Sequence, residues 1–312
     1  MQAWQYVGDH QPITLNEIDE PVAGPGEVLL EVKGAGICHT DVGHLEGTIS
    51  HFLAFRPITL GHEVAGVVSQ IGEGVTSFSV GDRVAVRSVV EGPGTGRDGG
   101  FQPRLAVQTD VLVPVPDGVP WDQAAVSTDA GMTSYHAVMA RAGVKAGDKI
   151  GIIGFGGLGS LGTHIALRAG AQVFVAETKR SLHPKIIEAG AAAVSSTVED
   201  FKGEGLDAII DFAGFGTTTA SAVETVKPGG RVVQVGLAER FGTLDLIALT
   251  MNQVDLLGSQ GGTNEDNAKV LQLMAAGHLQ SETERIAFDE IGEAIERLRR
   301  GENAGRLAVI YD

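Results

Sequence analysis

The sequence is poor in the residues that build disulfides and membrane spans. It has 312 residues and a single cysteine, Cys38, so no disulfide forms within the chain. A structural zinc site made of several thiolates is excluded for the same reason. No run approaches the roughly 18 apolar residues of a membrane span, and the first ten residues lack the basic and apolar regions of a signal peptide. We therefore expect a cytoplasmic protein with no membrane partner.

Positive charge is also scarce. The chain has 23 Lys and Arg residues against 39 Asp and Glu residues, for a formal net charge of −16. Such an acidic surface repels phosphate backbones, so we expect no nucleic-acid partner. Hydrophobic residues make up 43% of the chain, which is enough for packed cores, and the length suggests about two domains.

Short β-prone runs separated by Gly and Pro fill the first 120 or so residues. They cover residues 3–7, 28–32, 64–71, 83–87 and 111–115. Closely spaced strands with few helical periods predict a small barrel or a partly open sandwich.

After about residue 124, apolar runs alternate with helical segments. The candidate strands are residues 149–153, 173–177, 192–195, 208–212, 231–236 and 254–259. Buried strands linked by helices are typical of a doubly wound parallel sheet, so we predict an α/β fold here. Two further helices are predicted near the end of the chain, one of them over about residues 265–276.

A glycine-rich loop follows the first strand of this second region. It matches the pattern GxGxxG through Gly154, Gly156, Gly157, Leu158 and Gly159. The pattern alone is weak, but here it lies between an apolar strand and an amphipathic helix. Glycines allow a tight turn and close approach of the backbone to a pyrophosphate, and the helix N-terminus offers free N–H groups. The alternative is a strand–helix turn without a ligand.

An acidic residue ends the next predicted strand. Glu177 is placed to hold the ribose hydroxyls of a dinucleotide, and its charge repels a 2′-phosphate. The sequence therefore favours NAD over NADP, although Lys179 and Arg180 follow closely and weaken that preference. The alternative for Glu177 is simple exposure at a strand end.

Three residues of metal-binding type lie in loop-like contexts: Cys38, His62 and Asp129. Their spacing matches no compact metal motif. Taken singly, the cysteine is typical of a small buried hydrophobe, the histidine of a satisfied polar residue and the aspartate of a helix cap. The residues alone leave a metal site and these ordinary roles open.

Four motifs in order resemble the zinc-containing alcohol dehydrogenases of the medium-chain dehydrogenase/reductase family. They are Cys-His-Thr-Asp (residues 38–41), Gly-His-Glu-x-x-Gly-x-Val (61–68), Gly-Asp-Arg-Val (81–84) and Gly-x-Gly-Gly-Leu-Gly (154–159). The resemblance covers essentially the whole chain. It implies a GroES-like, β-rich catalytic domain over residues 1–123, completed by residues 266–312, and a Rossmann NAD-binding domain over residues 124–265.

The resemblance also implies one catalytic zinc, held by Cys38, His62 and Asp129. Glu63 resembles a residue that lies near the metal, and Asp41 resembles one that orients the ligating histidine through its other ring nitrogen. Family members commonly carry a four-cysteine lobe for a second, structural zinc. Residues 87–98 replace that lobe and contain no cysteine, so we expect no structural zinc.

The implied reaction transfers a hydride between NAD and a small primary or secondary alcohol, or its aldehyde or ketone. Thr40 matches a hydroxyl that relays the proton, and His44 is either the onward carrier or an ordinary surface residue. His39 and Arg306 resemble residues near the cofactor phosphates, and Thr133 resembles one beside the nicotinamide. Exposed loop polarity is the alternative for these three. The resemblance implies a homodimer through the cofactor domain, or a homotetramer.

Two rival interpretations remain open at this stage. One is a zinc-free quinone or enone reductase of the same family, whose members usually lack the cysteine and histidine ligands. The other is a non-catalytic nucleotide-binding relative, which needs none of Cys38, Thr40, His62 and Asp129.

Overall fold

The computed structural model describes residues 1–303 and 305–311. The chain divides into two compact units: residues 1–129 with 263–312, and residues 130–262. Asp129 thus belongs to the same unit as Cys38 and His62, whereas the sequence placed the boundary at residue 123. Within the described residues, no helix combines the length and apolarity needed to cross a bilayer.

The first part of the chain is mostly β. Its elements are β1 (Gln2–Tyr6), β2 (Thr14–Glu17), β3 (Glu27–Ile37), α1 (His39–Leu45), β4 (Ile58–Thr59), β5 (Glu63–Ile71), β6 (Arg83–Val86), β7 (Arg104–Gln108), β8 (Leu112–Pro114) and α2 (Trp121–Val126). Strands β2, β1 and β4 form a small antiparallel sheet. The long strand β3 pairs antiparallel with β5, and its first half also pairs antiparallel with β7.

The middle unit contains a parallel sheet and its helices. Its elements are α3 (Met132–Tyr135), β9 (Lys149–Ile153), α4 (Gly157–Arg168), β10 (Gln172–Ala176), α5 (His183–Glu188), β11 (Ala193–Ser195), β12 (Ala208–Asp211), α6 (Thr217–Thr225), β13 (Arg231–Gln234), α7 (Leu246–Met251) and β14 (Asp255–Gly258). The strand order is β11-β10-β9-β12-β13-β14, with every pair parallel. This is the doubly wound arrangement predicted from the sequence.

The last part of the chain returns to the first unit. It adds α8 (Asn264–Ala275), β15 (Thr283–Ile286), α9 (Ile291–Arg299) and β16 (Arg306–Ile310). Strand β16 pairs antiparallel with β3 and parallel with β15, so the large sheet runs β15-β16-β3-β5-β6-β8. The C-terminal segment therefore completes the β-rich unit.

Two apolar clusters support the first unit. One contains the side chains of β3, β5, β6 and β7, among them Val28, Val64 and Leu105. The other packs α1 and α9 against β3 and β16, with Ile37, Leu45 and Ile295 at its centre. Burying each such side chain contributes roughly 1.5–3 kcal/mol. Cys38 directly follows β3, and Glu63 is the first residue of β5. Both positions are therefore held by strands that pack into this core.

Candidate metal centre and cofactor loop

Cys38 lies where β3 ends and α1 begins. It is the N-terminal capping residue of α1, and its backbone N–H donates to Asp41 Oδ2 at 2.9 Å. An acidic side chain in the first turn of a helix accepts such a bond and complements the helix dipole. The Sγ atom is therefore fixed by the strand on one side and by the helix cap on the other.

His62 is presented by a turn immediately before β5. Gly61 has a φ of +90°, in the left-handed region where glycine is favoured, and a Cβ there would lie 2.5 Å from the Phe101 ring. The imidazole of His62 is only 4% exposed. Glycine at position 61 thus lets the chain turn and direct the imidazole inward.

Asp129 lies in a π-helical turn, Ser127–Gly131, and not in the loop that the sequence indicated. Two carbonyl groups of this turn accept hydrogen bonds from residues elsewhere in the same unit. The Asn267 side chain donates to Ser127 O at 3.0 Å, and the Ser88 backbone donates to Thr128 O at 3.2 Å. Single π-turns are frequent at functional sites because they redirect one side chain out of the helix register. Here the redirected side chain is Asp129.

The three predicted ligands converge. The Asp129 Oδ2 atom lies 3.5 Å from His62 Nε2 and 3.7 Å from Cys38 Sγ. Together with Glu63, their ligand atoms all lie within 4.8 Å of one another. Tetrahedral zinc with bonds of about 2.0–2.3 Å separates its ligand atoms by roughly 3.4–3.7 Å. The distances from Asp129 to His62 and to Cys38 therefore match the spacing of zinc ligands.

The charge of the site calls for a cation. Burial lowers the pKa of His62, but the carboxylates of Asp41 and Asp129 outweigh it and raise that pKa well above its usual value. Asp41 Oδ1 lies 3.6 Å from His62 Nδ1, on the face away from Asp129. Neither ring nitrogen of His62 has a hydrogen bond to another described residue. A proton or a metal ion is thus needed to compensate the surrounding negative charge.

Glu63 and Arg306 form a buried ion pair beside these ligands. Both side chains are almost inaccessible, and the guanidinium also lies 3.8 Å from Cys38 Sγ. A Cβ at Gly36, the residue opposite Glu63 on β3, would lie 1.8 Å from the Glu63 carboxylate. The pair joins β5 to β16, a pairing that nothing in the local sequence indicated. Exposed loop polarity, the alternative role considered for Arg306, is wrong because this residue is buried at the start of β16. Its contact with a cofactor phosphate stays a prediction.

The predicted relay residues have different surroundings. Thr40 Oγ1 lies 3.6 Å from Cys38 Sγ, next to the ligands. His44 is 1% exposed, so the surface alternative is wrong. Burial is the main cause that lowers its pKa to about 4, and its ring nitrogens lack hydrogen-bond partners among the described residues. His39 is exposed at the start of α1. Their roles in proton transfer and phosphate binding remain predictions.

The middle unit carries the glycine loop at the carboxyl end of β9. Gly154 has a φ of +87°, a Cβ at Gly156 would meet open space, and one at Gly159 would lie 1.8 Å from Gly154 O. These are the three glycine functions of a dinucleotide loop: a tight turn, free access for pyrophosphate and close packing of helix on strand. Gly157 and Leu158 begin α4, so the N-terminus of this helix, with its free N–H groups, lies at the glycine loop.

Glu177 and Thr133 are both buried in this unit. The Glu177 carboxylate accepts the N–H of Phe155 and the N–H of Lys179, each at 2.7 Å, so the exposed alternative for Glu177 is wrong. Thr133 is 6% exposed on α3, which also excludes exposed loop polarity for it.

Sequence analysis missed Asp211, which ends β12 and accepts hydrogen bonds from the backbone of Gly214 and the hydroxyl of Thr219. An acid after a buried strand was the available signal.

Comparison with known families gives two matches. Residues 24–117 match the alcohol dehydrogenase GroES-like domain, and residues 157–276 match the zinc-binding dehydrogenase domain. The two matches lie in the same order as the β-rich region and the parallel sheet of this chain.

Individual relatives extend over nearly the whole chain. An alcohol dehydrogenase of Geobacillus stearothermophilus is 27% identical over 97% of this chain and 97% of its own. The structure of an acetophenone reductase from Geotrichum candidum in complex with NAD is 31% identical, with a TM-score of 0.91 over 99% of this chain and 97% of that one. The alcohol dehydrogenase from Aeropyrum pernix is 26% identical, with a TM-score of 0.89 and full coverage of both chains.

The fold and the metal-ligand cluster thus define an NAD(P)-dependent oxidoreductase. The chain belongs to the zinc-binding alcohol dehydrogenases of the medium-chain dehydrogenase/reductase family.

Proposed function

We propose that this protein oxidises a small alcohol, or reduces its aldehyde or ketone, with one zinc ion held by Cys38, His62 and Asp129 and with NAD as the hydride carrier. The observation that carries the proposal is the convergence of these three buried side chains within one cluster. Thiolate, imidazole and carboxylate are ligands that zinc accepts, and three protein ligands leave a position open for a substrate oxygen.

The chain's own residues prepare this site. When bound, zinc supplies Lewis acidity toward an alcohol or carbonyl oxygen, and NAD supplies or accepts the hydride. Asp41 fixes the imidazole of His62 from behind, as a carboxylate partner of a ligating histidine does. Arg306 compensates the charge of Glu63, so that this second carboxylate stays buried beside the ligands. The Thr40 hydroxyl, 3.6 Å from Cys38 Sγ, both donates and accepts, which suits it to hold the substrate proton.

NAD is the favoured cofactor. Glu177 places a carboxylate at the end of β10, beside the glycine loop, and a 2′-phosphate on the ribose would meet this charge. The acetophenone reductase structure described above was solved with NAD, which agrees with this assignment. The relatives' names, alcohol dehydrogenase and acetophenone reductase, support alcohol and ketone substrates for this chain as well.

Two measurements test this function. Metal analysis of the purified protein should give about one zinc per chain, and NAD⁺ should be reduced when alcohols of a chemically varied panel are added. Protein without zinc that reduces quinones or enones would favour the zinc-free reductase. Protein that binds NADH and reacts with no member of either panel would favour the non-catalytic relative.

We infer that two copies of the chain associate through the edge of the parallel sheet. Among the described residues, β14 pairs with β13 alone, so its outer edge is free. The helix that leads into this strand, α7, carries the largely exposed side chains of Leu246, Ile247 and Met251, and Leu256 on β14 is partly exposed. Exposed apolar surface of this kind beside an open strand edge marks an interface. A second copy related by a twofold axis offers the matching edge and the same apolar surface.

A further inference from the structure

The glycine-rich segment, residues 92–100, is largely buried. It contains Gly92, Gly94, Gly96, Gly99 and Gly100 within nine residues. Glycine-rich chains lose much conformational entropy on folding, so such a segment needs compensating interactions to become ordered. Residues 92–95, 99 and 100 are nevertheless buried.

Its backbone is hydrogen-bonded to the three residues that precede His62. The N–H groups of residues 99–101 donate to the carbonyls of residues 59–61. The bonds run from Gly99 to Thr59 (2.8 Å), from Gly100 to Gly61 (2.7 Å) and from Phe101 to Leu60 (3.0 Å). In the opposite direction, Asp98 Oδ1 accepts the N–H of Thr59 at 2.7 Å. Each of the three residues before His62 is therefore hydrogen-bonded to residues 98–101.

The two backbones approach so closely that no side chain fits between them. A Cβ at Gly99 would lie 2.4 Å from the carbonyl oxygens of Leu60 and Gly61. A Cβ at Gly94, which has a φ of +78°, would lie 2.8 Å from the backbone nitrogen of His62. Contacts to backbone atoms leave no flexible side chain to move aside, so any larger residue must displace the turn itself.

We propose that the glycine-rich segment is the positioning element of His62, holding its backbone so that Nε2 faces Cys38 Sγ and Asp129. The carboxylates of Asp41 and Asp129 lie 3.6 Å and 3.5 Å from the two ring nitrogens and orient the ring about its own torsions. These contacts form only if the backbone of residues 61 and 62 places the ring between the two carboxylates, and that backbone is held by the glycine-rich segment. The inference rests on the metal site proposed above. It assigns residues 92–100 a role in ligand geometry, through contacts to the residues that lead into His62 and not through ligands of their own.

The first test compares Gly99→Ala with Gly72→Ala. A Cβ at Gly72 would lie 2.0 Å from the carbonyl oxygen of Gly24, a similar backbone clash at the far end of β5 from Glu63. Affinity is measured for Co²⁺ by chelator competition, and ligand geometry by the visible spectrum of the cobalt-loaded full-length protein. We expect Gly99→Ala to weaken Co²⁺ binding about tenfold and to alter the spectrum. Gly72→Ala should lower the thermal midpoint while leaving affinity and spectrum as in the wild type.

A second pair of variants covers the case in which Gly99→Ala does not fold. Asp98→Ala removes the acceptor for Thr59 N–H, and Asp98→Asn keeps an oxygen acceptor in the same place. We expect Asp98→Ala to weaken Co²⁺ binding severalfold, about threefold to tenfold, and Asp98→Asn to restore it. Rescue by the conservative variant would not follow from a general loss of stability.

The outcomes separate this inference from the proposed function. A wild-type protein that binds no Co²⁺ overturns both. A wild-type protein that binds Co²⁺, together with Gly99→Ala and Asp98→Ala variants whose affinity and spectra match it, overturns the positioning role alone. Weakened binding in Gly72→Ala equal to that in Gly99→Ala also overturns it, because the effect would then be one of stability.

Discussion

The side-chain amide of Asn267 on α8 donates a hydrogen bond to the carbonyl of Ser127 at 3.0 Å, two residues before the third predicted metal ligand, Asp129. Both residues are fully buried. A π-turn leaves carbonyls outside the regular helical ladder, and a buried carbonyl without a donor costs about 1–3 kcal/mol. Asn267 thus stabilises the turn that directs Asp129 toward His62.

Replacing Asn267 should disturb the metal site from a distance. We expect Asn267→Leu to reduce the free energy of unfolding by about 1–3 kcal/mol and to weaken zinc binding about tenfold. Urea denaturation and chelator competition measure the two effects. Asn264→Leu is the matched control, because Asn264 donates from the same helix to Asp110 O, outside the turn. Unchanged zinc affinity in Asn267→Leu would show that the π-turn holds its shape without this bond.

Removing the carboxylate ligand should remove the metal. Asp129→Ala is expected to weaken zinc binding by at least about a hundredfold and to abolish alcohol oxidation, because losing a ligand costs more than losing a residue behind one. Asp129→Cys keeps an anionic ligand and should retain zinc. NADH binding, followed by fluorescence, should be unaffected in both. Alcohol oxidation that survives in Asp129→Ala removes this residue from the site.

Cofactor preference should depend on the charge of Glu177. In Glu177→Gln the repulsion toward a 2′-phosphate is lost while one oxygen remains to accept from Phe155 or Lys179. We expect the ratio of kcat/KM for NAD to that for NADP to fall about tenfold or more. The measurement is initial rates with each cofactor at one alcohol concentration. A ratio equal to that of the wild type contradicts the assignment.

The association of two chains should depend on apolar side chains near β14. Ile247 is 76% exposed, and a charge there would be buried without a partner if a second copy covers it. We expect Ile247→Glu to convert a dimer into a monomer in sedimentation velocity. Val80→Glu is the control, since Val80 is 64% exposed in the other unit. A dimer that persists in Ile247→Glu places the interface elsewhere.

Stability toward acid should include a contribution from Asp122. Burial raises the pKa of this carboxyl, but hydrogen bonds from Thr283, Gln123 and Arg285 outweigh it and hold the pKa below its usual value. A folded-state pKa below the unfolded one stabilises the protein above the unfolded value, and this contribution is lost as pH falls through the folded value. Asp122→Asn should therefore show a shallower loss of thermal midpoint between about pH 5 and pH 3 than the wild type. Parallel curves for the two proteins would exclude this contribution.

Much of the architecture followed from local sequence because its signals are local. Each strand of the parallel sheet was predicted to within a few residues, and the central strands β9, β10 and β12 are largely apolar and buried. Strands β2, β4, β7, β15 and β16 were missed, since they are short or lie at sheet positions where their partners decide the pairing. The glycine loop was recognisable because its backbone requirements fix residue type at fixed spacing.

The sequence by itself determined the classes of chemistry: one thiol, the Gly-His-Glu and Cys-His-Thr-Asp motifs, and a dinucleotide loop with an acid at the end of the next strand. Only the tertiary structure decided that Cys38, His62 and Asp129 meet, that Arg306 neutralises Glu63, and that Asp129 leaves its helix through a π-turn. It also decided that a glycine-rich segment packs against the residues that lead into His62. These features depend on contacts between residues far apart in the chain, and such contacts leave no periodic trace in the sequence because each is set by how separate elements pack.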